Sequence, residues 1–302
     1  MVVSSTAWDL VATVVREAIG IELKPETRVA QGGGCINEAW LVEARPGFGE
    51  NRTVFVKTNR AGKASMFSAE AEALEEIAAT GTIRVPRPLW HGVIGDSAFL
   101  VLESIAMRSR GTAESEFQRG VQVARLHRCI EPQGRFGWHR ENVIGETRQL
   151  NDWSESWQGF YAECRIRLQL DLARRKGRSF RGADELTARI PEFFRDYQPV
   201  PSLLHGDLWG GNAAFDEAGN PVIFDPATYY GDRETDLAFT EMFGGFGSEF
   251  YRGYESEWPL DSGHGLRKTL YNLYHVLNHD HLFGGVYAIR AQGMIDQLLG
   301  ER

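Results

Sequence analysis

The chain has 302 residues, of which 33 are basic and 41 are acidic, so its formal net charge is −8. An acidic protein is a poor partner for nucleic acid. A composition of 42% hydrophobic and 25% charged residues indicates a folded globular protein rather than a disordered or fibrous one, and the length predicts two lobes, or one large domain with insertions.

The amino-terminal segment MVVSSTAWDL has no basic region and no sustained apolar run. No stretch of the chain approaches the ~18 consecutive apolar residues of a membrane span. Three scattered cysteines, Cys35, Cys129 and Cys164, are too few for a disulfide framework or a zinc cluster. We therefore expect a cytoplasmic protein with free thiols and no membrane partner.

The first hundred residues alternate between helical and strand patterns. Apolar residues recur at helical spacing over 8–19, and Gly20 can end that helix. The stretches AWLVEA and TVFVKT predict two antiparallel strands joined by a polar loop from Pro46 to Arg52. Residues 66–80 are rich in good helix formers, and AFLVLE at 98–103 predicts a buried strand. These elements predict an antiparallel sheet with a packed helix.

After Glu116 the pattern becomes amphipathic and mostly helical. Helices are predicted at 116–129, 154–176, 184–196, 235–243 and 264–281. One interruption is a hairpin of two short strands, whose turn is at Gly219 and Asn220. The segment SIAMRSRGTAES resembles a linker, so we place the lobe boundary near Ile105, with an amino-terminal lobe at 1–105 and a carboxy-terminal lobe at 106–302.

The segment HGDLWGGN begins at His205, and an aspartate follows it at Asp225. Histidine, aspartate and asparagine at this spacing, with a downstream aspartate, are typical of a phosphoryl-transfer loop. Asp207 can accept the proton of a substrate hydroxyl, and Asn212 and Asp225 supply the hard oxygen ligands that Mg²⁺ prefers. The alternative interpretation of this segment is a polar β-turn without chemistry.

Lys57 lies near the end of a predicted strand, thirteen residues before Glu70 on the next helix. A lysine in this position contacts nucleotide phosphates, and a glutamate orients it. Glu72 points about 200° away from Glu70 around a helix, so only one of the two can face the strand. The apolar face of the helix includes position 70 more naturally, and we therefore predict the pair Lys57–Glu70.

A glycine-rich segment between the first two strands is a candidate cover for phosphates, because glycines let backbone amides approach an anion. It consists of Gly32, Gly33, Gly34, Cys35, Ile36 and Asn37. Taken alone, a plain hairpin turn explains it equally well. The architecture further predicts that a nucleotide base would bind the backbone from Glu103 to Ile105.

Two further signals leave alternatives open. Cys35 lies where backbone amides could lower its pKa, so redox control and a small residue that fits a turn are both open. His275 and His279 form an i, i+4 pair with His281 nearby, which could hold zinc. No third or fourth ligand is evident, and packing is the interpretation that we favour for these histidines.

With these residues in place, the chain resembles the fructosamine kinase (ketosamine 3-kinase) family, a branch of the aminoglycoside phosphotransferase-like kinases, over nearly its whole length. The matching stretches include GGGCINEA, VFVKTN, FGWHRENVIGETRQLN, LLHGDLWGGN and FDPATYYGDRETDLA. The resemblance implies a two-lobed protein-kinase-like α+β fold, with a small antiparallel-sheet lobe and a larger, mainly helical lobe. It also implies ATP- and Mg²⁺-dependent phosphorylation of the 3-hydroxyl of a small-molecule or protein-bound ketosamine, whose phosphate then decomposes and frees the amine.

The resemblance also implies catalytic and binding roles for individual residues. Asp207 would be the base, Asn212 and Asp225 the metal ligands, and Lys57 with Glu70 the phosphate-binding pair. The candidate walls of the sugar pocket are Asn142, Gln149, Trp157 and Trp209.

Other residues near these motifs have open interpretations. The helical spacing of Trp157 with Phe160 and Tyr161 favours the core over a pocket wall. Asp232 is a candidate for an acidic rim that suits an amine, whereas Asp236 is expected to brace the catalytic loop by hydrogen bonds.

Two departures from the protein-kinase pattern accompany the resemblance. Gly206 replaces the arginine of H-R-D, and Asp225-Pro226-Ala227 replaces D-F-G. They argue against switching by loop phosphorylation and for a constitutively competent small-molecule kinase.

Two other functions stay open: phosphorylation of another small alcohol, such as an aminoglycoside, choline or a sugar, and nucleotide binding without catalysis. The oligomeric state is not predicted.

Overall fold

A computed structural model of the chain describes residues 3–32, 36–48 and 51–300. The chain forms two compact units. The first comprises Met1–Gly111 with Ala214–Phe224, and the second comprises Thr112–Ala213 with Asp225–Arg302.

The first unit is built on a five-stranded antiparallel sheet. Its elements in chain order are α1 (Ser5–Ile19), β1 (Glu22–Gln31), β2 (Glu38–Phe48), β3 (Asn51–Arg60), α2 (Ala64–Ala79), β4 (Pro88–Ile94), β5 (Ser97–Glu103) and β6 (Met107–Arg108). The strands of the large sheet lie in the order β1-β2-β3-β5-β4, and all four pairings are antiparallel. The predicted antiparallel sheet is therefore confirmed.

Helix α1 illustrates how local sequence and packing agree. The hydroxyl of Ser4 accepts a hydrogen bond from a first-turn amide at 3.2 Å, and Gly20 ends the helix in the left-handed conformation with φ 72°. Trp8, on the buried face, contacts the rings of Trp40 and Phe99 edge to face. The apolar face of α1 thus packs against the core of the sheet.

Two features of this sheet differ from the sequence prediction. The bounds of β1 were not predicted, because its residues are mostly charged or polar and include Pro25. The predicted loop from Pro46 to Arg52 is too long, since β2 continues to Phe48 and pairs there with Asn51 of β3.

The rest of the chain is mainly helical. Its elements are α3 (Ala113–His127), β7 (Asn142–Ile144), β8 (Thr147–Gln149), α4 (Trp157–Phe160), α5 (Leu168–Arg175), α6 (Ala183–Arg189), β9 (Ser202–Leu204), β10 (Ala213–Asp216), β11 (Pro221–Ile223), β12 (Tyr229–Gly231), α7 (Glu234–Met242), α8 (Ser248–Glu257), α9 (His264–Phe283) and α10 (Val286–Gly300). In the described part of the chain, no helix combines the length and hydropathy that crossing a bilayer requires.

All five predicted helical stretches contain helices, but 154–176 is not one continuous α-helix. A π-helical segment, Tyr161–Arg167, separates α4 from α5. The helices α8 and α10 were not predicted: α8 is mostly polar, and α10 carries Gly293 in its interior.

The hairpin of β10 and β11 was predicted, and its turn contains Gly219 with φ 89°. β6 lies in the segment that resembled a linker and pairs with β10. Arg84 Nη1 donates a hydrogen bond to Asp216 Oδ2 at 2.7 Å, and the amide of Ile223 donates to the Arg84 carbonyl at 3.0 Å. These contacts attach most of the hairpin to the first unit.

Two glycines allow α3 and α8 to pack backbone against backbone. A Cβ at Gly120 would lie 1.9 Å from the carbonyl oxygen of Phe250, and a Cβ at Gly253 would lie 2.0 Å from that of Phe117. Real side chains do not approach backbone atoms this closely, so either Cβ would force the helices apart. The pair therefore depends on glycine at both positions.

We expect Gly120→Ala to destabilise the protein by roughly 1–3 kcal/mol or more, because overpacking a tight contact displaces backbone. Urea unfolding monitored by circular dichroism would measure this change. Gly265→Ala is the matched control, since no heavy atom lies within 4 Å of its added Cβ. Equal stability of the two variants would contradict the proposed backbone contact.

Candidate active site

The loop between β9 and β10 begins at His205 and is braced by Asp236 of α7. The amides of His205 and Gly206 donate hydrogen bonds to Asp236 Oδ2 and Oδ1 at 2.7 and 2.9 Å. The ring of His127 lies 3.1 Å from Asp236 Oδ2 through Nε2 and 2.8 Å from the hydroxyl of Tyr254 through Nδ1. Burial disfavours the charge on Asp236, but the hydrogen bonds from His127 and the Gly206 amide outweigh it and lower the pKa. The predicted bracing role of Asp236 is confirmed.

His127 was missed by the sequence analysis. It is fully buried and lies far from the loop in sequence, on an amphipathic helix whose pattern contains no signal for this contact. A buried histidine beside a buried carboxylate gives the loop a charge-assisted anchor.

Asp207 and Asn212 lie together at the start and end of the loop. Asn212 Nδ2 donates hydrogen bonds to Asp207 Oδ2 and to the Asp207 carbonyl, both at 2.9 Å. Burial raises the pKa of Asp207 to about 7; the hydrogen bond from Asn212 opposes this rise and the negative charge of Asp225 adds to it. A carboxyl group with a pKa near neutrality can exchange a proton with a hydroxyl group.

Asp225 follows β11 and has φ 57°, the one positive φ among the described residues other than glycine. A non-glycine residue in the left-handed region costs about 1–3 kcal/mol and persists only where its surroundings enforce it. Two residues later, the amide of Ala227 donates to the His205 carbonyl at 2.9 Å. This contact holds the segment after Asp225 against the catalytic loop.

Gly206 faces the same segment. Its φ is 80°, and a Cβ there would lie 2.1 Å from the carbonyl oxygen of Ala227. Both the left-handed backbone conformation and the lack of room for a Cβ require glycine at this position. The backbone of this loop is therefore incompatible with the arginine that protein kinases carry at this position.

In the first unit, Lys57 Nζ donates a hydrogen bond to Glu70 Oε1 at 2.6 Å, and both side chains are buried. Lys57 lies on β3 and Glu70 on α2. The predicted contact of Lys57 with Glu70 is thus present. A buried lysine beside a carboxylate has a fixed position, which suits a group that must meet a phosphate oxygen.

The glycine-rich segment is described only in part. Gly33, Gly34 and Cys35 lie outside the described residues. Asn59 of β3 donates hydrogen bonds through Nδ2 to Asn37 Oδ1 at 2.7 Å and to the Ile36 carbonyl at 3.4 Å. Asn59 therefore anchors the carboxyl-terminal end of this segment, a contact that was not predicted. Gly32, at the other end, is exposed.

Glu103 ends β5, and its amide donates to the Arg87 carbonyl at 2.8 Å. Its side chain accepts a hydrogen bond from Arg84 Nη2 at 3.1 Å. The residues that follow it, through Ile105, have no regular secondary structure. The predicted role of this segment in binding a nucleotide base stays a prediction.

Four of the five candidate substrate contacts are buried, and their predicted roles as pocket walls or acidic rim stay predictions. Trp157 is 1% exposed and donates through Nε1 to the Tyr271 hydroxyl at 3.0 Å, so the core interpretation applies. Asp232 is 0% exposed and accepts hydrogen bonds from the hydroxyls of Tyr197 and Tyr271. The physical reason is that protein hydroxyl and amide donors satisfy these polar groups internally.

Asn142 and Gln149 belong to the same buried class, with 7% and 0% exposure. They lie opposite each other on β7 and β8. Trp209, by contrast, is 37% exposed, and its ring contacts that of Phe243 edge to face at 6.0 Å. Of the five candidates, Trp209 is the one whose ring remains accessible beside the catalytic loop.

His275 and His279 of α9 are packing residues. The ring of His275 stacks on Phe239 with centroids 3.6 Å apart, and His279 contacts the ring of Phe243. Over the described ranges, no three His, Cys, Asp or Glu side chains are grouped as a metal site requires. The zinc interpretation of His275 and His279 therefore has no support from the described residues.

Burial, and secondarily the charge of His279, lowers the pKa of His275 from 6.5 to about 3. The unfolded chain therefore binds a proton between these values that the folded protein does not bind, and stability falls as the pH drops below 6.5. We expect His275→Gln to reduce this loss by on the order of 1 kcal/mol per pH unit. Urea unfolding of the wild type and of His275→Gln at pH 7.5 and pH 5.5 measures this loss of stability. An equal loss in the two proteins would contradict the lowered pKa of His275.

Comparisons with known proteins agree with the family resemblance that the sequence motifs indicate. The profile of the fructosamine kinase family matches residues 7–301. A protein from Synechocystis sp. named as a probable ketoamine kinase is 46% identical over 98% of each chain. A protein-ribulosamine 3-kinase of the chloroplast from Arabidopsis thaliana is 39% identical over 89% of this chain and 81% of its own length.

The solved structures agree as well. A crystal structure from Haemophilus somnus assigned as a fructosamine-3-kinase aligns with 97% of each chain, with a TM-score of 0.87 and 32% identity. The predicted protein-kinase-like α+β fold is therefore confirmed. By the family profile, the relatives and the shared fold, the chain belongs to the fructosamine kinase family, whose members are phosphotransferases.

Proposed function

We propose that this protein transfers the γ-phosphoryl group of ATP to the 3-hydroxyl of a ketosamine, on a free amine or on a protein. The observation that carries the proposal is the hydrogen-bonded Asp207–Asn212 pair, with 2.9 Å between Asn212 Nδ2 and Asp207 Oδ2. The names of the relatives, ketoamine kinase and protein-ribulosamine 3-kinase, support this choice of acceptor. The 3-phosphate would decompose and free the amine, which amounts to deglycation in the cytoplasm.

Asp207 is the proposed base. Its carboxylate would accept the hydroxyl proton as the hydroxyl oxygen forms its bond to phosphorus, and its pKa of about 7 matches that task. Asn212 would hold the carboxylate in one orientation through its amide nitrogen. Lys57 would contact phosphate oxygens, with Glu70 fixing its position. The segments 32–37 and 103–105 would bind the phosphates and the base of the nucleotide.

Asn212 and Asp225 would hold Mg²⁺. The amide nitrogen of Asn212 bonds Asp207, so its amide oxygen is the atom that suits a metal ion, and a carboxylate completes a hard oxygen donor set. Two protein ligands fit this ion, because Mg²⁺ usually keeps several waters and binds substrate phosphates. When bound, the ion would neutralise charge on the phosphates.

The test is Mg²⁺-dependent release of ADP with a panel of acceptors. The panel contains ribulose-lysine and fructose-lysine adducts, aminoglycosides, choline and simple sugars, and the Asp207→Asn protein is the blank. We expect turnover with the ketosamines alone. Turnover confined to another alcohol would overturn the acceptor assignment, and nucleotide binding without any product would favour a regulator without catalysis.

A further inference from the structure

Two buried amide side chains hold the backbone that follows Asp225. Asn142 Nδ2 donates a hydrogen bond to the Thr228 carbonyl at 2.7 Å, and Gln149 Nε2 donates to the Ala227 carbonyl at 3.0 Å. The hairpin of β7 and β8 therefore donates hydrogen bonds to two consecutive carbonyls, those of Ala227 and Thr228, which lie two and three residues beyond Asp225.

The remaining polar atoms of these side chains are also bonded. Asn142 Oδ1 accepts hydrogen bonds from Gln149 Nε2 at 2.8 Å and from Asn151 Nδ2 at 3.0 Å. Gln149 Oε1 accepts from the Tyr274 hydroxyl at 2.8 Å. A buried network in which each member is satisfied allows one arrangement and is rigid.

The other side of the same segment contacts the catalytic loop. The amide of Ala227 donates to the His205 carbonyl, and the Ala227 carbonyl faces Gly206. The segment is therefore clamped between the catalytic loop and the β7–β8 hairpin. Asp225 has a strained backbone with φ 57°, and a strained conformation persists only where the surrounding contacts enforce it. The contacts on both sides of the segment meet this requirement.

We propose that Asn142 and Gln149 are positioning residues that set the place of Asp225, and thereby the affinity for the metal, and that they do not contact the ketosamine. The inference rests on the proposed function for the role of Asp225 as a metal ligand. The burial of both side chains and their bonds to two backbone carbonyls carry it.

The main test is Gln149→Met, which keeps the approximate volume and removes the donor to Ala227. Mg²⁺-dependent binding of a non-hydrolysable ATP analogue is measured by calorimetry, and KM for the ketosamine is measured separately. We expect the Mg²⁺ concentration for half-maximal nucleotide binding to rise roughly tenfold or more, as for other partners that orient metal ligands. We expect KM for the ketosamine to change by less than about twofold, since the side chain is closed to substrate.

Gln169→Met is the matched control. Gln169 is a buried glutamine of the same unit that donates to Asn278 Oδ1, and it is expected to lose stability without a shift in Mg²⁺ dependence. An equal shift in both variants would reduce Gln149 to a structural residue and overturn the inference. A raised ketosamine KM with unchanged Mg²⁺ dependence would also overturn it, because Gln149 would then be a pocket wall.

A second variant covers the case in which Gln149→Met does not fold. Asn142→Leu keeps the approximate volume and removes the donor to the Thr228 carbonyl instead, so the same rise in Mg²⁺ requirement is expected there. The calorimetric measurement needs no acceptor. If the protein phosphorylates no ketosamine and the metal shift persists, the proposed acceptor fails while the positioning role stands.

Discussion

Replacing Asp207 by Asn is expected to lower turnover roughly a hundredfold to ten-thousandfold, the usual contribution of a positioned base. Asparagine has nearly the same shape, and its amide oxygen can still accept the hydrogen bond from Asn212, but it cannot take a proton. Nucleotide binding should be nearly unchanged, because the substitution leaves Lys57 and Glu70 in place. Steady-state kinetics and calorimetric nucleotide binding measure the two effects.

The same variant is expected to be more stable than the wild type at pH 8. Burial raises the pKa of Asp207 from 3.8 to about 7, so the folded protein binds a proton between these values that the unfolded chain has lost. Stability therefore falls as the pH rises through this range, and the loss is complete above it. Asparagine does not titrate, so the difference in Tm between variant and wild type should shrink as the pH approaches 4.

Asp171→Asn is the control for a change of one carboxylate, since Asp171 is half exposed and pairs with Arg174 at the surface. It should leave kcat unaltered. Normal turnover by Asp207→Asn would remove Asp207 from the role of base, whereas lost turnover combined with a lower Tm at pH 8 would indicate a structural defect instead.

Short-range patterns predicted the parts of the fold that depend on neighbouring residues. The end of α1 at Gly20 and the hairpin turn at Gly219 follow from the conformations that glycine permits. The contact of Lys57 with Glu70 followed from helix geometry, because the apolar face of α2 determines which glutamate points inward. Each of these features is encoded within one or two elements.

Features that depend on tertiary environment could not be predicted. The family resemblance implied that Asn142 and Gln149 line the sugar pocket, and Asp232 was a candidate for an acidic rim that suits an amine. The structure satisfies them with buried partners such as Thr228 and Tyr271. Sequence shows that a group needs a hydrogen bond, but not whether a ligand or the protein provides it.

The opposite case is Trp157, for which a periodic signal favoured the core and was confirmed. Its ring packs against those of Phe136, Phe160 and Tyr161. Periodicity reports which face of a helix is buried, and it applies here even though Tyr161 begins a π-helical segment. For aromatic residues near a binding site, helical spacing was therefore a better guide than proximity in sequence to a motif.

The second large effect is expected from Gly206→Ala. The new methyl group would lie 2.1 Å from the Ala227 carbonyl oxygen, in a residue with φ 80°. To relieve the clash, the loop that carries Asp207 and the segment that follows Asp225 must move apart. A displacement of about 1 Å in catalytic groups can cost roughly a hundredfold in rate, so we expect kcat to fall by at least that factor.

Gly177→Ala separates the two causes of this effect. Gly177 has φ 76°, but no heavy atom lies within 4 Å of its added Cβ. It therefore carries the conformational strain alone, about 1–2 kcal/mol, and its kcat should equal that of the wild type. If Gly206→Ala turned over normally while folded, the catalytic loop would tolerate movement against Ala227. The argument that backbone packing between these two segments aligns Asp207 with Asp225 would then fail.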